Sequence, residues 1–183
     1  ANMPKDNIEK AVKRGTGELE GAAIEELVYE GMGPANTQFI IRSLTDNKNR
    51  SAAAIRHLFN KYGGSMAAVM WNFEQKGVIR VSREEAGGQD IDSEEFELEM
   101  IDAGAEDIAK EEEGLTITTE VADLAAVKKV LEDKEINTAS AGIEYLPKDE
   151  LDLSQEEREK VEKFMEDLED NEDVSDYFTN AKI

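Results

Sequence analysis

Stretches of period two and period 3.6 alternate along the chain, and that alternation sets the expected elements. Leu27-Val28-Tyr29 leads into the turn Gly31-Met32-Gly33-Pro34, and Thr37-Gln38-Phe39-Ile40-Ile41-Arg42-Ser43-Leu44 has the composition of a β-strand. Thr45 to Asn49 is polar, with Asn49 placed to cap a helix over residues 50–62. On that helix Ile55, Leu58, Phe59 and Tyr62 fall at i, i+3, i+4 and i+7, a single buried stripe, and Gly63-Gly64 ends it. Trp71, Phe73, Val78 and Val81 suggest a hairpin turning through Gln75-Lys76-Gly77.

Residues 82–93, with Gly87-Gly88 amid charges, have the composition of a linker. Beyond them a helix over 96–103 stops at Gly104, and Ile108 and Leu115-Thr116-Ile117-Thr118-Thr119 are strand-like. Asp123 can cap a helix with Leu124, Val127 and Leu131 on one face, and 140–146 closes this part as a strand. The order α-β-β-α-β predicts helices on one side of a small sheet. Ser154-Gln155-Glu156-Glu157 is a capping box, Val161, Phe164, Met165 and Leu168 form the stripe behind it, and 174–180 reads as a strand. A lone helix and strand cannot make a domain, so they are expected to return to the sheet begun near residue 25. The fold class expected is α+β: two small α/β sandwich domains, one inserted in the other. The central domain takes 22–90 plus 148–183, and the inserted acidic domain 91–147. Pro4 and Gly15 bracket one short helix too narrow in its apolar face to stand alone, read as the end of an N-terminal helical domain over 1–21.

Charge changes the picture. The net charge is −22, yet residues 1–80 carry 11 basic and 9 acidic side chains while 81–183 carry 10 and 34. Within 38–80 there are seven cations against Asp46 and Glu74. Such a split accompanies a face meant for an anionic partner, or acidic helices that keep the remainder soluble. With no Cys there is no disulfide, thiol nucleophile or Cys-ligated zinc. No apolar run approaches the roughly 20 residues of a membrane span.

The chemistry offered is limited. Gly31-Met32-Gly33 resembles part of a dinucleotide loop, but a strand follows and position 36 is Asn, so it reads as a turn. His57, the single His, has no Ser or Cys partner in a catalytic pattern and reads as a helix-surface residue. Glu111-Glu112-Glu113 reads as a solvated turn rather than a cation site. Trp71 and Phe73 read as core residues, with base stacking as the other possibility. Nothing resembles a recognition helix carrying base-reading Arg, Asn and Gln at helical spacing. What remains is Asn47-Lys48-Asn49-Arg50 at a helix start, with Arg56 and Lys61 on that helix: exposed amides, a helix N-terminus and cations together suit phosphate. The alternative is a plain cap with solvated cations. Arg50, Arg56 and Lys61 lie off the apolar stripe, so removing each is expected to move stability by only about 0.5 kcal/mol.

The same residues carry a resemblance. Met3-Pro4-Lys5-Asp6-Asn7-Ile8-Glu9-Lys10-Ala11, Gly15-Thr16-Gly17, Tyr29-Glu30-Gly31-Met32-Gly33-Pro34 and Leu44-Thr45-Asp46-Asn47-Lys48-Asn49-Arg50 resemble segments of the YebC/PmpR family. Ile55-Arg56-His57, Phe59-Asn60-Lys61-Tyr62-Gly63-Gly64, Trp71, Phe73-Glu74, Lys76-Gly77-Val78-Ile79 and Gly104-Ala105-Glu106-Asp107 continue it, in order, over essentially the whole chain. The resemblance implies a three-domain α+β protein that is not an enzyme. It further implies a cytoplasmic, DNA-binding transcriptional regulator or, as the alternative, a ribosome-associated translation factor on ribosomal RNA. The family includes the mitochondrial translational activator of cytochrome c oxidase subunit I. The basic Gly-His-Ser-Lys-Trp opening of the family is absent from this sequence. The expected nucleic-acid-binding residues are Lys5, Lys10, Lys13, Arg14, Asn47, Lys48, Asn49, Arg50, Arg56, Lys61 and Lys76. No metal, cofactor, small-molecule substrate or membrane is expected as a partner, and the acidic domain is a candidate for docking a basic protein.

Overall fold

Phe39, Ile40 and Ile41 are fully buried in succession, which marks their strand as covered on both faces and therefore central. The structure, a computed structural model, describes residues 24–84 and 86–183. The expected helix between Pro4 and Gly15, and with it Lys5, Lys10, Lys13 and Arg14, lies outside the described residues.

The chain divides into two compact units, one running up to Glu74 and resuming over Leu146–Ile183, the other Gln75–Tyr145. In the first, β1 (Glu25–Met32) pairs antiparallel with β2 (Gln38–Thr45) from Glu25↔Thr45 to Met32↔Gln38. A short 3-10 turn over Pro34–Asn36, with Ala35 and Asn36 at positive φ, joins them. Helix α1 (Lys48–Lys61) follows, then the two-residue strand β3 (Ser65–Met66) beside β1. Gly63, at φ 75°, turns the chain out of α1. Gly64 passes so close to β1 that a Cβ there would lie 2.2 Å from the Met32 carbonyl oxygen. The paired glycines are thus needed for two different reasons.

After the second unit the chain returns through β8 (Leu151–Asp152), α4 (Gln155–Glu169), β9 (Val174–Thr179) and β10 (Ala181–Lys182). Ser154 and Glu157 close the capping box of α4 in both directions. Strand β9 pairs antiparallel with the free edge of β2, with a register shift at Arg42/Ser43, giving the order β3-β1-β2-β9. Helices α1 and α4 bury Ile55, Phe59, Val161, Phe164 and Leu168 against Phe39 and Ile41.

The second unit runs β4 (Phe73–Ser82), α2 (Glu94–Asp102), β5 (Ala105–Lys110), β6 (Gly114–Thr119), α3 (Leu124–Asp133) and β7 (Ser140–Pro147). Its sheet order, β5-β6-β4-β7, is the ferredoxin-like split βαβ arrangement. Ile79, Val81, Leu115 and Ile117 face Phe96 and Met100 of α2 and Val127 and Leu131 of α3.

Three local expectations change. The hairpin at Gln75–Gly77 does not form; residues 73–82 are one strand, which pairs with β6 from Gly77 to Ser82. Gly77 serves close packing instead, since a Cβ there would stand 2.3 Å from the Thr119 hydroxyl oxygen. Because β4 belongs to the second sheet, the boundary expected after residue 90 falls at Glu74. The stretch 82–93 is no linker: Ala86 and Ile91 are buried in the second core, and Arg83 donates to the carbonyl of Glu112 and pairs with Asp92. Asp123 precedes α3 without a side-chain capping bond.

Candidate nucleic-acid interface

Helix α1 starts where the Thr45 hydroxyl accepts the Asn47 N–H at 3.0 Å and so fixes Asn47 in extended backbone. The Asn47 side-chain oxygen then accepts the N–H of Arg50 at 3.1 Å, which makes Asn47 the cap; Asn49, expected in that role, sits within the first turn. One side of the helix buries Ser51, Ile55 and Phe59, the Ser51 hydroxyl meeting that of Ser43 at 2.8 Å. The opposite side exposes Asn49, Ala53, Arg56, His57 and Asn60. At 100° per residue these five positions fall within one continuous outer arc.

The fourteen residues of α1 include Lys48, Arg50, Arg56 and Lys61 and no carboxylate. Each of the other three helices among the described residues carries acids. In a chain with 43 acidic side chains, this is the strongest local departure from the overall charge.

The cations of α1 have different fates. Arg50 forks onto Asp173, Nε to Oδ2 at 3.2 Å and Nη2 to Oδ1 at 2.8 Å, and also reaches Asp46 at 2.9 Å. The Asp173 side chain is only 7% exposed, so Arg50 neutralises a buried carboxylate. Its bonds to Asp173 hold the guanidinium further above its ordinary range. Lys61 pairs with Asp167, which also accepts from the Tyr62 hydroxyl at 2.9 Å; these two donors push the Asp167 carboxyl below the usual range. Lys48 pairs with Glu25. Arg56 has no acidic partner among the described residues and is exposed.

Lys76 lies in the second unit, mostly covered, bonded to Glu106 at 2.7 Å and to Glu120, and both bonds raise its pKa. It belongs to an ion-pair cluster there rather than to the α1 face. Of the two aromatics read as core, Phe73 is buried, whereas Trp71 is 66% exposed. Among the described residues no group of three or more His, Cys, Asp or Glu side chains gathers to hold a metal. No helix among them is long and apolar enough to cross a membrane.

The structure thus separates residues that the sequence grouped. Arg50 is structural, Lys48 and Lys61 flank the face in ion pairs, and Asn49 and Arg56 stand on it. Asn60, absent from the expected set, and His57, expected only as a helix-surface residue, join them. The outer row Asn49, Arg56, Asn60 follows i, i+7 and i+11, and projection of the helix away from its apolar stripe would have found it. Arg and Asn side chains presented from one helix face are the groups that bond phosphate oxygens and base edges.

Removing Arg50 leaves Asp173 buried without its main partner, so the expected near-neutral effect does not hold there. Arg50→Ala is expected to lower the melting midpoint by roughly 5 °C, while Arg56→Ala moves it by about 1 °C or less. Thermal melts of the two variants check this, and equal midpoints would remove Arg50 from its structural role.

The fold and this face define the class: an α+β chain of two units, the second set into the first along the sequence, with an acid-free cationic helix on the first. The chain belongs to the TACO1/YebC family, whose second and third domains match residues 24–181. It is 43% identical over 185 residues to a probable transcriptional regulatory protein of Thermoanaerobacter pseudethanolicus, covering all of this chain and 74% of that one. Proteins of the same description from Thermotoga maritima (47% over 185 residues, 71% of the relative) and Kosmotoga olearia (48% over 186 residues, 72%) match equally along the whole chain. A crystal structure of a conserved hypothetical protein from Aquifex aeolicus, 38% identical, superposes with a TM-score of 0.78 over 98% of this chain and 74% of that one.

Proposed function

We propose that the protein is a non-catalytic, cytoplasmic regulator of gene expression that binds nucleic acid through the outer face of α1. One observation carries this reading: α1 is free of carboxylates and turns Asn49, Arg56, His57 and Asn60 outward, in a chain of net charge −22. A polyanion meets there the side chains able to bond its phosphates without an opposing carboxylate on the same helix. The relatives' description as probable transcriptional regulatory proteins supports duplex DNA as the target. The second reading, structured RNA such as ribosomal RNA, is favoured by exposed Trp71, since unpaired bases are available to stack in folded RNA. The acidic second unit carries the charge to meet a basic protein partner.

Ultraviolet cross-linking in cells, followed by sequencing of the attached DNA and RNA and by mass spectrometry of the attached peptides, tests the reading. The peptide spanning Asn49 to Asn60 is expected to carry cross-linked nucleotide, and the sequenced nucleic acid decides between the two targets. Cross-links confined to the second unit, or none above a non-binding control, would overturn it.

A further inference from the structure

Trp71 is exposed, yet the turn that carries it is anchored by hydrogen bonds on both sides of the ring. The Glu30 carboxylate oxygen Oε2 accepts two successive backbone N–H groups, of Val69 and Met70, both at 2.7 Å. The Ala67 N–H bonds the Glu30 carbonyl at 3.2 Å, and the Asn72 N–H bonds that of Val69 at 3.0 Å. The buried Asn72 amide donates to Gln38 at 2.7 Å and to the Asp149 carbonyl at 3.1 Å, and it accepts the Asp149 N–H at 3.1 Å. Val69 and Phe73, on either side, are buried. A ring on such a turn is held in place before anything binds it.

The chemistry of the ring narrows what it can hold. Its only polar atom, Nε1, donates to the Ala68 carbonyl at 3.2 Å, so a partner finds aromatic surface and no hydrogen-bonding handle. Along the chain, Ala68 and Glu74 near it are also exposed. The Lys148 N–H bonds the Asn72 carbonyl at 2.7 Å, and its ammonium pairs with Glu74 at 3.4 Å, so the backbone beside the tryptophan is tied down from this side too. A flat ring, fixed and without a free donor, is suited to stacking on a second flat ring.

We infer that Trp71 is a stacking platform for an unpaired nucleobase. This rests on the nucleic-acid reading and deepens it by assigning a second contact, distinct from α1, that selects unpaired over paired strands. Stacking is tolerant of base identity, so the preference is for unstacked nucleotides rather than for a sequence.

Trp71 is the single tryptophan of the chain, so its emission reports this contact alone. The experiment titrates the full chain with short oligouridylate, oligothymidylate, and RNA and DNA duplexes of the same length, following emission and, separately, the anisotropy of labelled probes. Unpaired strands are expected to bind and quench; duplexes are expected to bind with emission little changed. Trp71→Ala should weaken binding of the unpaired strands by roughly tenfold, leave duplex affinity and the melting midpoint unchanged, and be largely rescued by Trp71→Phe. Preferential quenching by oligouridylate assigns the contact to RNA, and by oligothymidylate to single-stranded DNA. Unquenched binding of the unpaired strands, or equal affinity in the alanine variant, overturns the assignment of Trp71 while leaving α1 as the interface. Absence of binding to every probe overturns both readings together.

Discussion

Reversing the charge of the α1 face, with Asn49→Asp, Arg56→Glu and Asn60→Asp combined, is expected to reduce affinity for a DNA duplex or a structured RNA on the order of a hundredfold. The change replaces one unpaired cation and two amides by three anions, all on the exposed arc, in a helix that has no carboxylate of its own. Like charges facing phosphates cost several kcal/mol, and the neighbouring cations Lys48, Arg50 and Lys61 are already engaged by Glu25, Asp173 and Asp167. Because all three side chains point away from Ile55 and Phe59, the melting midpoint should stay close to that of the parent chain. Anisotropy titrations and melts on the same samples check both halves. Unchanged affinity would move the interface off α1 altogether.

The largest effect on stability is expected from Phe164→Ala. Phe164 is fully buried where the returning helix α4 meets α1 and the sheet. Its ring lies edge-on to Phe39 at 4.9 Å between centroids, tilted to Phe59 at 5.2 Å, and edge-on to Tyr62 at 5.5 Å. Truncation removes three aromatic contacts and opens a cavity between two helices and a strand, at a cost of about 3–5 kcal/mol. That is a large part of the stability of an ordinary domain. Urea unfolding followed by far-ultraviolet circular dichroism, which reports the helices and strands of both units, measures it. Leu98→Ala, on the exposed side of α2 with 61% of its surface open, serves as the control and should shift stability by about 0.5 kcal/mol or less. Similar midpoints for the two variants would mean that the aromatic cluster does not hold the first unit together.

Most of the secondary structure was legible because short-range signals agreed with long-range packing. The stripe Ile55, Leu58, Phe59, Tyr62, the capping box at Ser154 and the α-β-β-α-β order after residue 93 all recur in the structure. Failures came where one residue type has two physical uses. Gly77 signals a turn in sequence, but here its missing Cβ admits the Thr119 hydroxyl, so 73–82 runs on as one strand of the second sheet. Glycines at 87 and 88 suggested a linker, yet Ala86 and Ile91 around them are core. The candidate site was legible as a cationic helix but not in its details. Which cation stands free depends on carboxylates far along the chain: Asp173 takes Arg50 and Asp167 takes Lys61, across sequence separations that no local pattern encodes. Core and base stacking are both open for Trp71 in sequence, because aromatic character signals burial only on average, and it takes the tertiary structure to show the ring exposed on a turn held by Glu30.

The measurement that tests the central claim most directly is the salt dependence of binding to a duplex, compared between the parent chain and Arg56→Ala. Each phosphate neutralised contributes a slope near −0.9 in log affinity against log salt on B-form DNA. The α1 face, with Arg56 unpaired and Lys48 and Lys61 shared with carboxylates, predicts a shallow negative slope, about −1 to −3, that becomes shallower by roughly one unit in Arg56→Ala. An affinity independent of salt, or a slope that Arg56→Ala leaves unchanged, would contradict the proposal that this helix is where the protein meets nucleic acid.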